Sequence, residues 1–186
     1  MTSDEAVSAV IDALNAGPIP HMLVGSLATN LYGEPRSTKD ADFVIQHAGQ
    51  SLMDLVGKLG PAFRFDPQQS FETVTGTLRY VLKLADIPFS VELFLLSSDT
   101  HDQERFARRQ PTLLGDRKTF VATLEDTIVT KLRWCLRGNR GKDKDDVRNV
   151  LAVQGDGIDW PYVYAWCDRH GTRALLDEIR RSIPPL

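Results

Sequence analysis

Asp40, Ala41 and Asp42 close a basic loop and open an apolar run, Phe43 to Ile45. On an extended strand successive side chains alternate between faces, so Asp40 and Asp42 project together while Ala41 points the other way. Two carboxylates on one face repel each other unless a cation lies between them. No cysteine or histidine stands at ligand spacing beside them, so the donors are hard oxygens and the expected cation is Mg²⁺ or Mn²⁺ rather than zinc. An ion held by only one or two carboxylates keeps positions open for phosphate oxygens.

Upstream, Gly25-Ser26 follows the apolar run Met22 to Val24 and precedes a helix-forming stretch, Leu27 to Tyr32. Gly25 lets a backbone approach a phosphate closely, and Ser26 is placed to cap a helix whose free N–H groups attract anions. A phosphate between this turn and the acidic pair is the chemistry these two segments suggest.

Gly25-Ser26, thirteen intervening residues and Asp40-x-Asp42 resemble the signature of the DNA polymerase β-type nucleotidyltransferase superfamily. The fuller pattern, G-S-x-A followed by G-x-x-R-x-T-x-D-x-D through Gly33, Arg36, Thr38, Asp40 and Asp42, is similar to its small bacterial, AbiEii-like branch. The resemblance covers roughly residues 20–153. It implies a nucleotide-binding role for Gly25, Ser26, Arg36 and Thr38, and a catalytic, metal-holding role for Asp40 and Asp42. Arg36 has a second reading, as a surface partner of Glu34.

Glu92 is the one acid in the largely apolar run Phe89 to Leu95. A carboxylate buried there needs a partner. In the resembled family a third carboxylate comes from a strand beside the D-x-D strand, and Glu92 is the matching position, as catalytic residue and metal ligand. The other reading is an edge-strand glutamate facing water. Farther along, Leu124-Glu125-Asp126 with Lys131, then Lys142-Asp143-x-x-Asp146, resemble the back half of AbiEii-like proteins. By that resemblance Lys131 touches nucleotide phosphate and Asp146 is a further active-site carboxylate, with Asp143 matching too. A charged, solvated helix pair explains the same residues without a ligand.

The chain has 186 residues, 42% hydrophobic and 25% charged, with a net charge of −3. That length supports one domain, or one with an appendage, and a sizeable core, while the charge implies no general affinity for polyanions, so any nucleic-acid contact would be a local patch. Cys135 and Cys167 lie far apart outside any C-x-x-C and are expected to pack as small apolar residues. Asp4 and Glu5 stand where a signal peptide would be basic, and no apolar run reaches membrane-spanning length, so a cytoplasmic, reduced protein is expected. No P-loop or G-x-G-x-x-G pattern is present, and His21, His47, His101 and His170 have no ligand or triad spacing.

The elements that must position these residues follow from periodicity and punctuation. Ser3 to Ala16 reads as an amphipathic helix capped by Ser3 and stopped by Gly17-Pro18. Strands are predicted at His21 to Val24, Ala41 to Ile45, Phe63 to Phe65, Glu72 to Thr75, Leu78 to Leu84 and Phe89 to Leu95, with a hairpin at Gly76 and a helix from about Gln50 to Leu59. Ser97-Ser98-Asp99 caps a short helix reaching Arg109, whose Arg105, Arg108 and Arg109 suit a helix C-terminus. One more hairpin spans Thr112 to Val121. Helices follow from Thr123, around a break at Gly138 to Gly141 with Arg140, to the tail Pro184-Pro185-Leu186.

The expected fold is α+β: a nucleotidyltransferase-type mixed sheet packed with helices over residues 1–121, followed by a C-terminal helical region over 122–186. The resemblance implies two-metal, Mg²⁺- or Mn²⁺-dependent transfer of an NMP from an NTP to an acceptor hydroxyl, with Asp40, Asp42 and Glu92 holding the ions and with release of pyrophosphate. RNA or a protein is the candidate acceptor, and a cognate antitoxin is a candidate partner by family analogy. The alternative is a catalytically silent module of the same fold that binds nucleotide or regulates.

Overall fold

The computed structural model describes residues 1–17, 19–46, 52–138 and 141–184. Pro18, His47, Gln50, Arg140 and the last two residues of the tail lie outside them. The described chain divides into two compact units: residues 1–24 with 38–122, and residues 25–37 with 123–186.

The first unit holds a seven-stranded mixed sheet among the described residues. Its strands are β1 (His21–Val24), β2 (Asp40–Ile45), β3 (Phe63–Glu72), β4 (Thr77–Leu84), β5 (Ser90–Leu95), β6 (Gln110–Leu114) and β7 (Arg117–Val121), in spatial order β3-β4-β5-β2-β1-β7-β6. The pairs β2–β5 and β1–β7 are parallel and the rest antiparallel. Three helices belong to this unit: α1 (Ser3–Ala16), α3 (Leu52–Leu59) and α4 (Thr100–Ala107). Their companion α2 (Gly25–Thr29) belongs to the second unit.

Alternation on β2 sorts the sheet's residues. Ala41, Phe43 and Ile45 are buried on one face with their cross-strand partners Leu23, Val91, Leu93 and Leu95 alongside. On the opposite face Met22, Val24 and Val44 form a core cluster with Phe106 of α4 and Ala122, against which Phe94 and Leu96 pack. That second face continues into Asp42 and Asp40.

Several local readings change. Thr2, not Ser3, caps α1, in a reciprocal capping box with Glu5. The predicted breaks around residues 66–71 are one strand, β3, because a register shift between Asp66 and Ser70 absorbs Pro67 as a bulge. The predicted strand Glu72 to Thr75 is a turn from Thr73 onward: Glu72 ends β3, and its carboxylate accepts from the N–H groups of Val74 and Thr75 and closes the turn into β4. Asp99 is the cap of α4 as expected. Arg105 is not a solvent-facing cation; it is buried against Asp102 in an ion pair of 2.5 Å.

The second unit is helical: α2, α5 (Leu124–Gly138), α6 (Gly141–Gln154), α7 (Trp160–His170) and α8 (Arg173–Arg181), with a 3₁₀ turn at Gly155–Gly157. Its core joins Ile128, Val129 and Leu132 of α5 to Val147, Val150 and Leu151 of α6, and to Val163, Trp166, Cys167, Leu176 and Ile179 of the last two helices. Cys167 therefore packs as a small apolar group, and burial pushes its thiol pKa up. Thr123 and Asp126 meet at the start of α5: the Asp126 N–H donates to the Thr123 hydroxyl, which in turn donates to Asp126 Oδ2. Among the described residues no helix is long and apolar enough to cross a membrane.

Candidate functional site

In the first unit the acidic residues are brought to one face by strand register. β2 and β5 run parallel with Asp42 opposite Glu92 and Asp40 opposite Ser90. Directly opposed residues on neighbouring strands share a face, so Asp40, Asp42 and Glu92 point to the same side, at the polar end of the Met22–Val44 cluster. All three are partly buried. The Thr38 hydroxyl donates to Asp40 Oδ1 at 2.6 Å, a charge-assisted bond that orients this carboxylate from the loop entering β2.

Glu92 has the partner its surroundings require, and sequence reading did not identify it. Arg79 Nη1 donates to Glu92 Oε2 at 3.0 Å, and Arg79 Nε donates to Ser70 Oγ at 2.8 Å. The register explains the meeting: Val81 of β4 lies opposite Glu92, and Arg79, two residues back, emerges on the same face. Ser70 lies opposite Arg79 on β3. A row Ser70–Arg79–Glu92 thus crosses three strands. The one signal for it in sequence is a cation on the alternating strand Thr77–Leu84, and that signal does not name the partner.

The second unit gathers four of the other candidates. Arg36 grips Asp146 with two bonds, Nε to Oδ1 at 2.6 Å and Nη2 to Oδ2 at 2.8 Å. Its Nη2 also donates to Ser26 Oγ at 2.9 Å. Lys131 Nζ donates to Asp146 Oδ2 at 2.6 Å and to Asp143 Oδ1 at 2.9 Å. Asn30 holds the Arg36 backbone from both sides, accepting from its N–H and donating to its carbonyl. Arg36 therefore pairs with Asp146 across 110 positions of sequence rather than with Glu34.

Burial works against charge on Asp146, but hydrogen bonds from Arg36 and Lys131, and their positive charge, win and hold its carboxyl below the usual range. The side chain is 3% exposed. Gly33 has a packing reason: a Cβ there would meet Val150 Cγ2 at 3.2 Å and the Val150 backbone nitrogen at 3.3 Å, so glycine lets the segment lie against α6. Ser26 is not a helix cap. It is the second residue of α2, its hydroxyl taken by Arg36. Gly25 itself, at φ 65°, makes the turn into that helix.

No family model and no curated protein matches the chain. Solved structures do. The antibiotic-resistance factor ANT(2'')-Ia in solution aligns with a TM-score of 0.63 at 12% identity, over 96% of each chain. The same factor in complex with adenylyl-2''-tobramycin gives 0.61 at 13% identity, over 94% of this chain and 99% of that one. An antigenic nucleotidyltransferase-like protein from Paracoccidioides brasiliensis gives 0.55 at 17% identity, over 100% of this chain and 96% of that one.

The fold is a nucleotidyltransferase fold. Within it, the donor chemistry of Asp40 and Asp42, hard carboxylate oxygens on one face of one strand, fits a divalent cation. Among the described residues no group of three or more His, Cys, Asp or Glu is placed to hold a metal ion. Glu92, as placed, is engaged by Arg79.

Proposed function

We propose that this protein transfers a nucleoside monophosphate from an NTP to an acceptor hydroxyl and releases pyrophosphate. The observation that carries this reading is the shared face of Asp40, Asp42 and Glu92 on two parallel strands in register, in a chain with a nucleotidyltransferase fold. The neighbour in complex with adenylyl-2''-tobramycin supports it by analogy.

In this mechanism Asp40 and Asp42 hold Mg²⁺ or Mn²⁺, and Thr38 fixes the Asp40 carboxylate. The ion, when bound, supplies charge stabilisation for the triphosphate and acidifies the acceptor hydroxyl. The acceptor oxygen bonds to the α-phosphorus as the bond from that phosphorus to the bridging oxygen breaks, and the pair of electrons leaves with pyrophosphate. Glu92 is the third carboxylate and takes the acceptor proton. Gly25, Ser26, Arg36, Thr38, Lys131 and Asp146 are proposed, from the resemblance, as nucleotide-binding residues. The toxin-like branch, with an RNA or protein acceptor and a cognate antitoxin, is the finer form of this proposal; the G-S-x-A and R-x-T-x-D-x-D patterns support it.

The test is transfer of label from α-³²P-labelled ATP, CTP, GTP and UTP in Mg²⁺ or Mn²⁺. Acceptors are the protein itself, total tRNA, cell lysate and tobramycin. Label moved by the wild type and not by the Asp40→Ala/Asp42→Ala double variant supports the reading, and the labelled species names the acceptor. Nucleotide binding without transfer to any pool would instead favour the silent module.

A further inference from the structure

We propose that Arg79 and a divalent ion compete for the Glu92 carboxylate, so that Arg79 is the positioning residue that decides whether Glu92 joins the metal held by Asp40 and Asp42. This rests on the reading of Asp40 and Asp42 as the metal pair. Glu92 stands directly opposite Asp42 in the β2–β5 register, at the place from which a third carboxylate would reach a shared cation. Its Oε2 is instead bonded to Arg79 at 3.0 Å. That engagement accompanies the absence, among the described residues, of any three-donor group arranged for a metal.

Arg79 is suited to hold Glu92 away. The guanidinium is a rigid fork with Nε anchored on Ser70 and Nη1 on Glu92, so it approaches from the β3 side, opposite to β2. The charge it supplies is permanent, so Glu92 is compensated before any ion arrives. The pair is also weak enough to yield: its side chains are 37% and 18% exposed, and water screens such an interaction. A divalent ion beside Asp42 brings twice the charge of the guanidinium, and Glu92 can turn toward it when Arg79 lets go. Lys83 gives the internal control, since it lies on the same strand and face, is paired with Asp66, and is 62% exposed.

The experiment counts free Mn²⁺ by electron paramagnetic resonance during titration of the full-length protein with Mn²⁺ alone. Arg79→Gln is expected to tighten binding about two- to fivefold, the range of a partly exposed ion pair. Arg79→Lys should return toward the wild type, Lys83→Gln should match it, and Asp42→Asn should remove the binding in both the wild-type and Arg79→Gln backgrounds. In a separate titration with Mg²⁺, the Arg79 Nε–H resonance in wild-type protein is expected to move. Binding that depends on Asp42 but is equally tight with and without Arg79 overturns the competition alone. Equal tightening by Arg79→Gln and Lys83→Gln also overturns it, because a general field effect then suffices. Absence of any Mn²⁺ binding that Asp42→Asn removes overturns the metal assignment, and the competition falls with it.

Discussion

Replacing Lys131 by methionine tests the ionic network of the helical unit. Lys131 is 8% exposed, and its ammonium is shared between Asp143, 2% exposed, and Asp146, 3% exposed. Removing one partner of a buried pair costs about 3 to 5 kcal/mol, mostly for the charge left behind. Asp146 keeps its two bonds to Arg36, which places Lys131→Met at the lower end, about 3 kcal/mol. With a urea slope of about 1.5 kcal/mol per molar, the midpoint falls by about 2 M. All three tryptophans, Trp134, Trp160 and Trp166, lie in this unit, so intrinsic fluorescence reports its unfolding. Adding Asp143→Asn to Lys131→Met should recover part of the loss, because one of the stranded charges is gone.

The same titrations repeated in acid carry a second expectation. The Asp146 carboxyl has a folded pKa below its ordinary 3.8, so the unfolded chain binds more protons than the folded one over the interval between the two values. Its contribution is complete above about pH 4 and disappears as pH falls through the folded value. That acid-induced loss should be smaller in Lys131→Met, where less of the depression remains. A fluorescence midpoint lowered by less than about 0.5 M, with an unchanged acid slope, would refute the view that this network holds the helices.

Three further outcomes are expected. Asp42→Asn should reduce nucleotidyl transfer by about a thousandfold or more, in line with losing charge stabilisation in the transition state, while circular dichroism and thermal melting stay close to wild type. Burial lowers the His21 pKa from 6.5, opposed by its bond to the Ile19 carbonyl and aided by the charge of Arg109. Its folded form thus prefers neutrality, and stability of the sheet unit should fall as pH drops below about 6.5; NMR of the His21 imidazole should show the lowered titration, and His21→Gln should flatten the pH dependence. Leu132→Ala, at a fully buried position in the helical core, should cost that unit about 3 kcal/mol by fluorescence-detected urea unfolding.

Local chemistry was legible in the sequence where neighbouring residues decide it. Asp-Ala-Asp ahead of an apolar run specifies a strand with both acids on one side, and β2 follows. The shift to helix expected from Thr123 is met by α5, which begins at Leu124. Pairings set by register or by distant chain were not legible. Arg79 meets Glu92 only because β4 and β5 align Val81 with Glu92, and no local rule links Arg36 to Asp146. The two strands predicted around residues 63–75 are largely one, because a register shift between Asp66 and Ser70 carries β3 through Pro67. Glu72 misled, since a carboxylate that closes a turn looks in sequence like one on a strand face.

The helical unit is discontinuous in the chain, and residues 25–37 are translated long before residues 123–186. Arg36 leaves the ribosome more than a hundred residues ahead of its acceptor Asp146, and Tyr32 ahead of the hydrophobic cluster it packs against. At roughly 5 to 20 residues per second this interval lasts several seconds or more, with Leu31 and Tyr32 held in an incomplete nascent segment. The helical unit can close only after α6 has emerged, and a ribosome stalled between residues 37 and 123 would display a segment that has no folded unit to join.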